Sequence, residues 1–357
     1  MLKERLARYA RHWSSISLIG GFILDNLTLR RIDLFFENLV FLIYIGICAI
    51  SITFLSFHEA GRLQGRWAEK LHTPFLLLLQ FAFGGLFSGF FIFYTRSATL
   101  VASWPFLLVL LGLLIGNELL KNRYLVFTFR MSVFFITLFS FFIFYVPIIA
   151  KEISPQMFLL SGGISIIITA LFVCFISTVL REKIQSSMRT LILSIGSIYL
   201  AVNVMYFTNI LPPIPLSLKS AGVYHDVHKA GGDYVGVRES DRGWFDFLRR
   251  YKKIHVIADA PVFAYSSIFA PTNISTTVVH EWQYRDDVRD QWMTISRIPF
   301  PITGGRDGGY RGYSYKLHTQ PGRWRVNIET ERGQLIGRLK FEIIRVPTDP
   351  SLETKTL

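Results

Sequence analysis

Cysteine is scarce in this chain. Its 357 residues include only two, Cys48 and Cys174, and both lie within long apolar runs. Neither belongs to a C-x-x-C pair or to a metal-ligand spacing, and neither lies in a polar segment that a disulfide would hold together. We therefore expect both to be buried thiols that act as small hydrophobic side chains.

The sequence also lacks the short motifs that carry common catalytic reactions. It contains no G-x-S-x-G, H-E-x-x-H or G-x-G-x-x-G segment. The glycine-rich run from Gly304 to Gly309 lacks the terminal Lys-Ser or Lys-Thr of a phosphate-binding loop. Its glycines favour a hairpin turn that needs positive φ angles. We therefore predict no catalytic residue and no cofactor.

Two polar groups come nearest to a metal or catalytic site. His225 and His228 flank an aspartate, but no third ligand follows at a suitable spacing, so a juxtamembrane polar segment is the simpler interpretation. Asp259, Glu281 and Asp290 are available as acids or bases, yet the sequence places no partner beside them. We interpret them as members of charged strand faces, and we predict no metal site.

Charged residues are nearly absent from long stretches between Ile32 and Leu211. Hydrophobic residues make up 51% of the chain, and its mean hydropathy of +0.38 is high for a soluble protein of this length. A membrane-spanning helix needs about 20 mostly apolar residues. Six runs meet this requirement: Leu34–Phe57, Pro74–Tyr94, Leu100–Leu119, Met131–Ala150, Met157–Leu180 and Leu191–Leu211. We therefore predict a transmembrane helical domain over residues 32–211.

A seventh apolar stretch, Ser14–Leu27, follows a basic N-terminal tail, and the two together make up residues 1–31. The stretch contains Asp25 and Asn26 and is short for a span. With it, the predicted membrane α-helical bundle has about six or seven membrane segments. Seven spans would keep the basic tail on the same side as the other basic loops, so we favour seven.

The distribution of basic residues predicts the orientation of the bundle. The loops after the first, third and fifth runs carry nine Lys or Arg residues, whereas the opposite loops carry only Arg96 and Lys151. Under the positive-inside rule the basic loops lie in the cytoplasm. We therefore expect a multi-pass protein of a bacterial inner membrane, with its C-terminal domain in the periplasm.

Few polar residues lie within the apolar runs. The candidates for a function at membrane depth are Glu37, Asn117 and Glu118. They lie near the ends of their runs, where water is close, and no carboxylate pair or broken helix pair indicates a transporter. We expect the helices to serve as an anchor, and the alternative is a membrane domain that handles lipid or substrate.

The polar part of the chain begins at the Pro-Pro-Ile-Pro segment after Leu211, where no helix can continue. Residues 212–252 are predicted to form a linker, with a short helix at Trp244–Lys253. Six segments rich in β-branched and aromatic residues follow: Lys253–Ala260, Thr276–Arg285, Gln291–Pro299, Tyr310–Leu317, Arg323–Glu329 and Leu335–Arg345. They predict an all-β, immunoglobulin-like antiparallel sandwich over residues 253–357.

Aromatic and basic residues on two of these strands form the candidate binding surface. His280, Trp282 and Tyr284 share one face of their strand, either as a platform for a sugar or peptide or as part of the core. The second group follows the glycine-rich run and consists of Arg306, Tyr310, Arg311, Tyr313, Ser314 and Lys316. Tyr and Arg are common in recognition surfaces. Arg311 either faces a ligand or pairs internally with an acid such as Asp307 or Glu281.

Several short motifs occur in a fixed order between Ala258 and Ile344. They are H-x-W at His280, G-G-R followed by G-Y-R and Y-S-Y-K from Gly304, and P-G-R-W-R-V from Pro321. In this order and spacing the segment resembles a family of bacterial envelope domains catalogued as a domain of unknown function. The resemblance implies a small β domain placed after several membrane spans, and it implies no established activity and no catalytic residue.

The charge of the polar part bears on its partners. From Leu216 onward the chain has 21 Lys or Arg and 16 Asp or Glu residues. This mildly basic balance suits anionic lipid or glycan better than nucleic acid, which we do not expect as a partner. The expected partners are the lipid bilayer and another envelope or membrane protein, or a glycan.

The resulting functional expectation is a non-enzymatic membrane protein. Its β domain would bind an envelope partner or serve as a subunit of a membrane complex. The alternative is a membrane-embedded enzyme or transporter that acts on lipid or an envelope precursor, with the β domain as an accessory.

Overall fold

The computed structural model describes residues 22–23, 25–27, 29, 33–97, 99–240, 251–306, 308–348 and 350–357. The chain divides into two compact units: a helical unit within Met1–Thr95 and Ser103–Leu211, and a β unit within Arg96–Ala102 and Pro212–Leu357. Most of the predicted segment Ser14–Leu27 and of the predicted helix Trp244–Lys253 lies outside the described residues.

The apolar runs of the sequence form six long α-helices. They are α1 (Phe35–Glu59), α2 (Arg66–Ser97), α3 (Leu100–Leu119), α4 (Phe127–Ala150), α5 (Pro155–Ser177) and α6 (Arg181–Phe207). A short 3-10 helix, Lys121–Leu125, precedes α4. The start of α5 is capped, because the Ser154 hydroxyl accepts a hydrogen bond from the Met157 N–H at 3.4 Å and Pro155 takes the first helical position.

By length and composition, five of these helices could cross a membrane. They are α1, α2, α4, α5 and the Ile184–Phe207 part of α6. Within α3, the apolar helix Ala102–Asn117 is shorter. The fold is therefore consistent with a membrane protein, and five of the predicted apolar runs are confirmed as long helices. The full number of spans and their orientation stay predictions.

Small residues allow close packing within the helical unit. A Cβ added at Gly89 on α2 would lie 2.4 Å from the ring of Phe41 on α1, and one at Gly162 on α5 would lie 2.7 Å from the ring of Tyr199 on α6. Phe41 also packs against rings of α2 and α4 at centroid distances between 5.4 and 6.3 Å: Phe90, Phe93, Phe141 and Phe144. Aromatic contacts therefore join α1, α2 and α4.

The two cysteines occupy different environments. Cys48 on α1 is fully buried, as predicted, whereas Cys174 on α5 is exposed. The prediction is wrong for Cys174 because α5 is apolar on all sides. A helix of this kind does not show in its sequence which face packs against its neighbours.

The β unit contains eleven strands in its described part. They are β1 (Ser217–Tyr224), β2 (Asp226–Ala230), β3 (Asp233–Glu239), β4 (Lys252–Val256), β5 (Val262–Phe269), β6 (Ser275–Asp286), β7 (Gln291–Thr303), β8 (Tyr310–Lys316), β9 (Gly322–Thr330), β10 (Leu335–Arg345) and β11 (Leu352–Thr356). Sheet 1 has the order β1-β5-β8, sheet 2 the order β4-β10-β9-β6-β7, and sheet 3 the order β11-β3-β2.

Sheets 1 and 2 share one hydrophobic core. Val223 of β1 and Ala264 of β5 cluster with Trp282, Val326 and Phe341 of sheet 2. Along β9 the core residues alternate with residues of the opposite face, as the period of a strand requires. The six predicted strands are all present, with ends that differ by a few residues.

Strand pairing departs from the predicted antiparallel arrangement at one edge of sheet 2. β4 pairs with β10 in parallel, with Lys252 opposite Phe341 and Val256 opposite Arg345. The other strand pairs of the described residues are antiparallel. The spacing of turns predicts pairing only between strands that follow one another along the chain. β4 and β10 are far apart in sequence, so the turns give no information about their pairing.

The predicted linker 212–252 contains three strands instead. β1, β2 and β3 lie within it, and β5 and β11 are two further strands that the sequence analysis missed. Glycines and charged residues between Asp226 and Glu239 resemble a polar connection more than a strand pair. The first strand of the β unit therefore begins within the predicted linker, at Ser217.

Candidate functional site

The structure separates the nine residues of the predicted binding surface into three groups. Three are buried inside the β unit: His280, Trp282 and Ser314. Four contact neighbouring side chains near the surface: Tyr284, Arg306, Tyr310 and Arg311. Two lie at the edge of sheet 1: Tyr313 and Lys316. They therefore do not form one continuous surface.

The buried group forms a hydrogen-bonded network. His280 Nε2 is 2.8 Å from Ser266 Oγ on β5, and His280 Nδ1 is 2.9 Å from Ser314 Oγ on β8. The Trp282 Nε1–H donates to the same Ser314 oxygen at 2.9 Å. These side chains tie sheet 2 to sheet 1 from within the core. Neither the His280 ring nor the Trp282 ring is available to a sugar or peptide.

We expect acid to destabilise the β unit through His280. Burial lowers the pKa of His280 to about 4, because the charged imidazolium would lose its hydration. In the unfolded chain the His280 imidazole has its ordinary pKa of 6.5, so between pH 6.5 and pH 4 the unfolded state binds a proton that the folded state does not. The unfolded state is therefore stabilised as the pH falls through this range, and the free energy of unfolding decreases. The loss of unfolding free energy approaches about 3 kcal/mol at the acid end. Unfolding midpoints of the full chain in detergent across this range provide the measurement.

The variant His280→Gln isolates this contribution. It removes the titrating ring and keeps a side chain that forms hydrogen bonds, so its stability should fall less on acidification than that of the wild type. His228→Gln is the matched control, because His228 is 52% exposed on β2, where it pairs with Asp226. Equal acid sensitivity of the wild type and His280→Gln would contradict the assignment.

Arg311 pairs internally, but with neither of the acids that the sequence suggested. Its Nη1 donates to Asp233 Oδ1 on β3 at 2.8 Å. This hydrogen bond raises the pKa of Arg311. Glu281 instead pairs with Arg297 on sheet 2, and Asp307 lies outside the described residues. The ion pair joins β8 to β3, so the Arg311 guanidinium already has a partner within the β unit.

The other near-surface residues of the prediction contact their neighbours. The Tyr284 hydroxyl donates to the Pro321 carbonyl at 3.3 Å, and the Tyr284 ring packs 5.2 Å from the Trp324 ring. The Arg306 guanidinium lies 5.9 Å from the centre of the Tyr310 ring. These contacts position the turn before β8 and the end of β6.

An open groove follows the outer edge of β8. Tyr313, Tyr315 and Leu317 occupy alternate positions, and their exposed fractions are 40%, 53% and 48%. The Phe263 ring on the neighbouring strand β5 packs 5.9 Å from the Tyr313 ring and 5.4 Å from the Tyr315 ring, so both tyrosines have an aromatic cross-strand neighbour. The groove has a volume of about 660 Å³ and is lined by Ile298, Tyr313, Ser314, Tyr315, Lys316 and Leu317.

The backbone of β8 borders the same groove. β8 pairs with β5 on one side, and among the described residues no strand pairs with it on the other. The neighbouring edge strand is β7, whose Ser296 hydroxyl accepts a hydrogen bond from Lys316 Nζ at 3.3 Å. Pro299 and Pro301 on β7 have no N–H to offer an added strand. Of the two edge strands, β8 is therefore better able than β7 to pair with an added strand.

The polar candidates of the helical unit have different surroundings. Asn117 on α3 accepts a hydrogen bond from the Tyr124 hydroxyl at 2.6 Å and donates to the Gln80 carbonyl at 3.0 Å. Glu37 in the first turn of α1 is buried, and its Oε2 has no hydrogen-bond partner among the described residues. The side chain of Glu118 lies outside the described part of the chain. Asn117 thus has a role in joining α2 and α3.

A polar network on the outer face of sheet 2 was missed by the sequence analysis. Glu281 accepts hydrogen bonds from Thr294 Oγ1 at 2.9 Å and from Asn327 Nδ2 at 2.8 Å. Arg297 lies between two carboxylates, 3.5 Å from Glu281 and 2.8 Å from Glu329. Strand alternation indicated only a charged face here, because it does not show which charges meet across neighbouring strands.

The two carboxylates of this network ionise differently. Burial opposes ionisation of Glu281, but hydrogen bonds from Asn327 and Thr294 outweigh it and lower the pKa of Glu281. Burial and the nearby charge of Glu281 raise the pKa of Glu329 to about 7, against the opposing effect of Arg297. Near neutral pH, Glu329 therefore carries only part of a negative charge.

Glu239 on β3 forms a second polar centre. Its carboxylate accepts a hydrogen bond from the His255 backbone N–H at 2.5 Å, and it lies 2.8 Å from His255 Nδ1 and 3.2 Å from His225 Nε2. Burial opposes ionisation, but these hydrogen bonds lower the pKa of Glu239 to about 2. Across the described ranges, no three His, Cys, Asp or Glu side chains are grouped to hold a metal ion.

A protein-family match covers the segment that contains the groove along β8 and the polar network around Glu281. Residues 275–343, from the start of β6 to most of β10, match the family described as Protein of unknown function (DUF2914). The match confirms the predicted resemblance to a C-terminal domain of unknown function. No curated protein matches the chain significantly.

Solved structures add no functional assignment. A β-glucosidase from Listeria innocua in complex with gluconolactone is similar at 9% identity with a TM-score of 0.19, over 34% of this chain and 17% of that chain. The alkylpurine DNA glycosylase AlkC of Pseudomonas fluorescens is similar at 9% identity with a TM-score of 0.22, over 86% of this chain and 98% of that chain. Similarities at these scores carry no argument about this protein.

Proposed function

We propose that the chain is a non-enzymatic, multi-span protein of a bacterial inner membrane whose periplasmic β unit binds an extended segment of another envelope protein. The groove along β8 carries the proposal, because exposed tyrosines and an open strand edge occur there together. The positive-inside bias of the loops supports the periplasmic location. Two sheets around the buried Trp282 support an immunoglobulin-like sandwich.

An extended segment fits this groove in a specific way. A strand added beside β8 would form main-chain hydrogen bonds, and every second side chain would point to the same face. Tyr313, Tyr315 and Leu317 follow the same two-residue period. Tyrosine rings contribute a large contact area and lose little conformational entropy on binding. A glycan that stacks on the two tyrosines is the competing ligand.

Photocrosslinking in intact cells provides the test. A photoreactive amino acid in place of Tyr315 of the full-length protein should crosslink to a partner protein. The double variant Tyr313→Ser, Tyr315→Ser should reduce co-purification of that partner at least about tenfold, because aromatic anchors dominate binding at such surfaces. A photoreactive amino acid in place of Val288 is the control, since Val288 is 97% exposed in the turn after β6.

Three outcomes decide between the candidate functions. Equal crosslinking from the two positions, or unchanged co-purification with the double variant, would argue against a β8 partner protein. Loss of a bound polysaccharide from the double variant would favour the glycan. A cellular defect caused by Glu37→Gln but not by the tyrosine changes would favour the alternative, a membrane-embedded enzyme or transporter for lipid or an envelope precursor.

A further inference from the structure

Two arginines on neighbouring strands of sheet 2 are held by neutral amides instead of carboxylates. Arg325 Nε on β9 donates to Gln283 Oε1 at 2.5 Å, and Arg338 Nε on β10 donates to Asn327 Oδ1 at 2.6 Å. In both cases one edge of the guanidinium is fixed. The terminal Nη atoms of Arg325 and Arg338 have no hydrogen-bond partner within the described ranges.

The amides that hold these arginines are themselves fixed and buried. Gln283 is 8% exposed and donates to Thr294 Oγ1 at 3.1 Å. Asn327 is 5% exposed and donates to Glu281 Oε2 at 2.8 Å. The Arg325 guanidinium also lies 4.3 Å from the centre of the Trp292 ring. The two guanidinium groups are therefore oriented before any ligand arrives, which reduces the entropy lost on binding.

The spacing of the two arginines suits one shared ligand. Arg338 is directly opposite Asn327, and Arg325 is directly opposite Lys340. Arg325 and Arg338 are thus diagonal neighbours on one face, a relation in which long side chains reach each other. Their charges repel: burial, and after it the charge of Arg338, lower the pKa of Arg325 to about 10.

The surrounding charge is positive. Strand alternation and register place seven basic and three acidic residues on this outer face of sheet 2: Lys253, Arg285, Arg297, Arg323, Arg325, Arg338 and Lys340, against Glu281, Glu329 and Glu342. Glu281 and Glu329 both pair with Arg297. The charges of both carboxylates also attract Arg338, and that of Glu281 attracts Arg325. Basic groups still outnumber acidic ones on this face, so an anion would relieve the repulsion between the two arginines.

We infer that Arg325 and Arg338 form a binding site for a phosphate-type oxyanion, either a free phosphate compound or the headgroup of an anionic lipid. The planar fork of arginine binds two oxygens at once, and two forks together match the several oxygens of a phosphate group. The site lies on sheet 2 and does not depend on the groove along β8. It would provide the β unit with an anion-binding function that is separate from partner binding.

The first test uses the full-length protein in nanodiscs of zwitterionic lipid. Inorganic phosphate, titrated at constant ionic strength against sodium chloride, should raise the unfolding midpoint of the β unit in a saturable way. Arg338→Gln removes one fork, and we expect it to weaken the apparent Kd at least about tenfold. Arg289→Gln is the control with the same charge change, since Arg289 is 73% exposed in the turn after β6.

A second variant keeps both arginines in place. Gln283→Glu has nearly the same shape as the wild type and places a carboxylate against Arg325 Nε, so it should neutralise the site and weaken phosphate binding to a similar degree. Unfolding midpoints without phosphate report whether each variant is folded. The proposal is overturned if phosphate gives no more stabilisation than sodium chloride, or if Arg338→Gln and Gln283→Glu bind phosphate as the wild type does.

Lipid composition then distinguishes the two sources of the anion. In nanodiscs that contain phosphatidylglycerol, lipid headgroups compete for the site. A phosphate response that disappears there, and is replaced by a higher midpoint without phosphate, supports the site and identifies the lipid headgroup as its ligand. An unchanged response supports the site and identifies a soluble phosphate compound.

Discussion

Replacing Trp282 by alanine is expected to lower the free energy of unfolding of the β unit by about 3–5 kcal/mol. Trp282 is fully buried. Its ring centroid lies 6.5 Å from that of Trp324 and 6.1 Å from that of Phe341, and its Nε1–H donates to Ser314 Oγ. Truncation would leave a large cavity between sheets 1 and 2 and would remove one of the hydrogen bonds that join them.

Hydrogen exchange of the full chain in detergent provides the measurement. Amides of β9 lie in the middle of sheet 2 and report the opening of the whole unit. Their protection should fall by at least about 100-fold in Trp282→Ala. Tyr315→Ala is the matched control, because it also removes an aromatic ring but from a side chain that is 53% exposed. Similar protection in both variants would show that Trp282 does not organise the core.

Local patterns predicted the strands of sheet 2 well. In β9, Trp324, Val326 and Ile328 alternate with polar residues, and a Glu-Arg-Gly turn leads into β10, so the hairpin is visible from the sequence alone. β6 and β7 are also rich in β-branched and aromatic residues. These strands follow one another along the chain, and their pairing depends on short turns that the sequence shows directly.

Contacts between distant segments could not be predicted in the same way. The pairing of β4 with β10 and the ion pair between Arg311 and Asp233 both join parts of the chain that no turn connects. The strand β5 did leave a signal, because Val262–Phe269 is rich in aromatic and β-branched residues. β2 and β3 left little signal, since their stability comes from pairing with each other and with β11.

The candidate sites follow the same division. Exposed tyrosines after the glycine-rich run were predictable, because their alternation follows from the strand period. For His280 the sequence left two alternatives, a binding platform and a core position, and the contacts that bury it against Ser266 and Ser314 depend on sheet 1 covering sheet 2. The arginine pair on sheet 2 also requires the register of β9 and β10, which places Arg338 opposite Asn327. Residue types indicated polar strand faces, and only the register showed which polar groups meet.

The glycine-rich run contains a position where a side chain cannot fit. The Gly304 N–H donates to the Ile274 carbonyl at 2.8 Å, which holds the backbone against the connection between β5 and β6. A Cβ at Gly304 would lie 1.8 Å from the Pro271 carbonyl oxygen and 2.7 Å from the Ala270 carbonyl oxygen. The positive φ angles that the sequence analysis expected in this run occur at Gly305 and Gly309. Gly304 is needed for a different reason, the close approach of another backbone segment.

Gly304→Ala is therefore expected to lower the free energy of unfolding of the β unit by more than about 3 kcal/mol, because backbone atoms on both sides would have to move. Gly308→Ala is the matched control in the same run: the nearest atom to an added Cβ is Arg311 Nη2 at 4.0 Å. Its change should stay within about 0.5 kcal/mol. Hydrogen exchange in β6 and β8 of the full chain compares the two variants. Equal hydrogen-exchange protection in Gly304→Ala and Gly308→Ala would contradict this prediction. It would mean that the connection between β5 and β6 can shift to make room for a side chain at position 304.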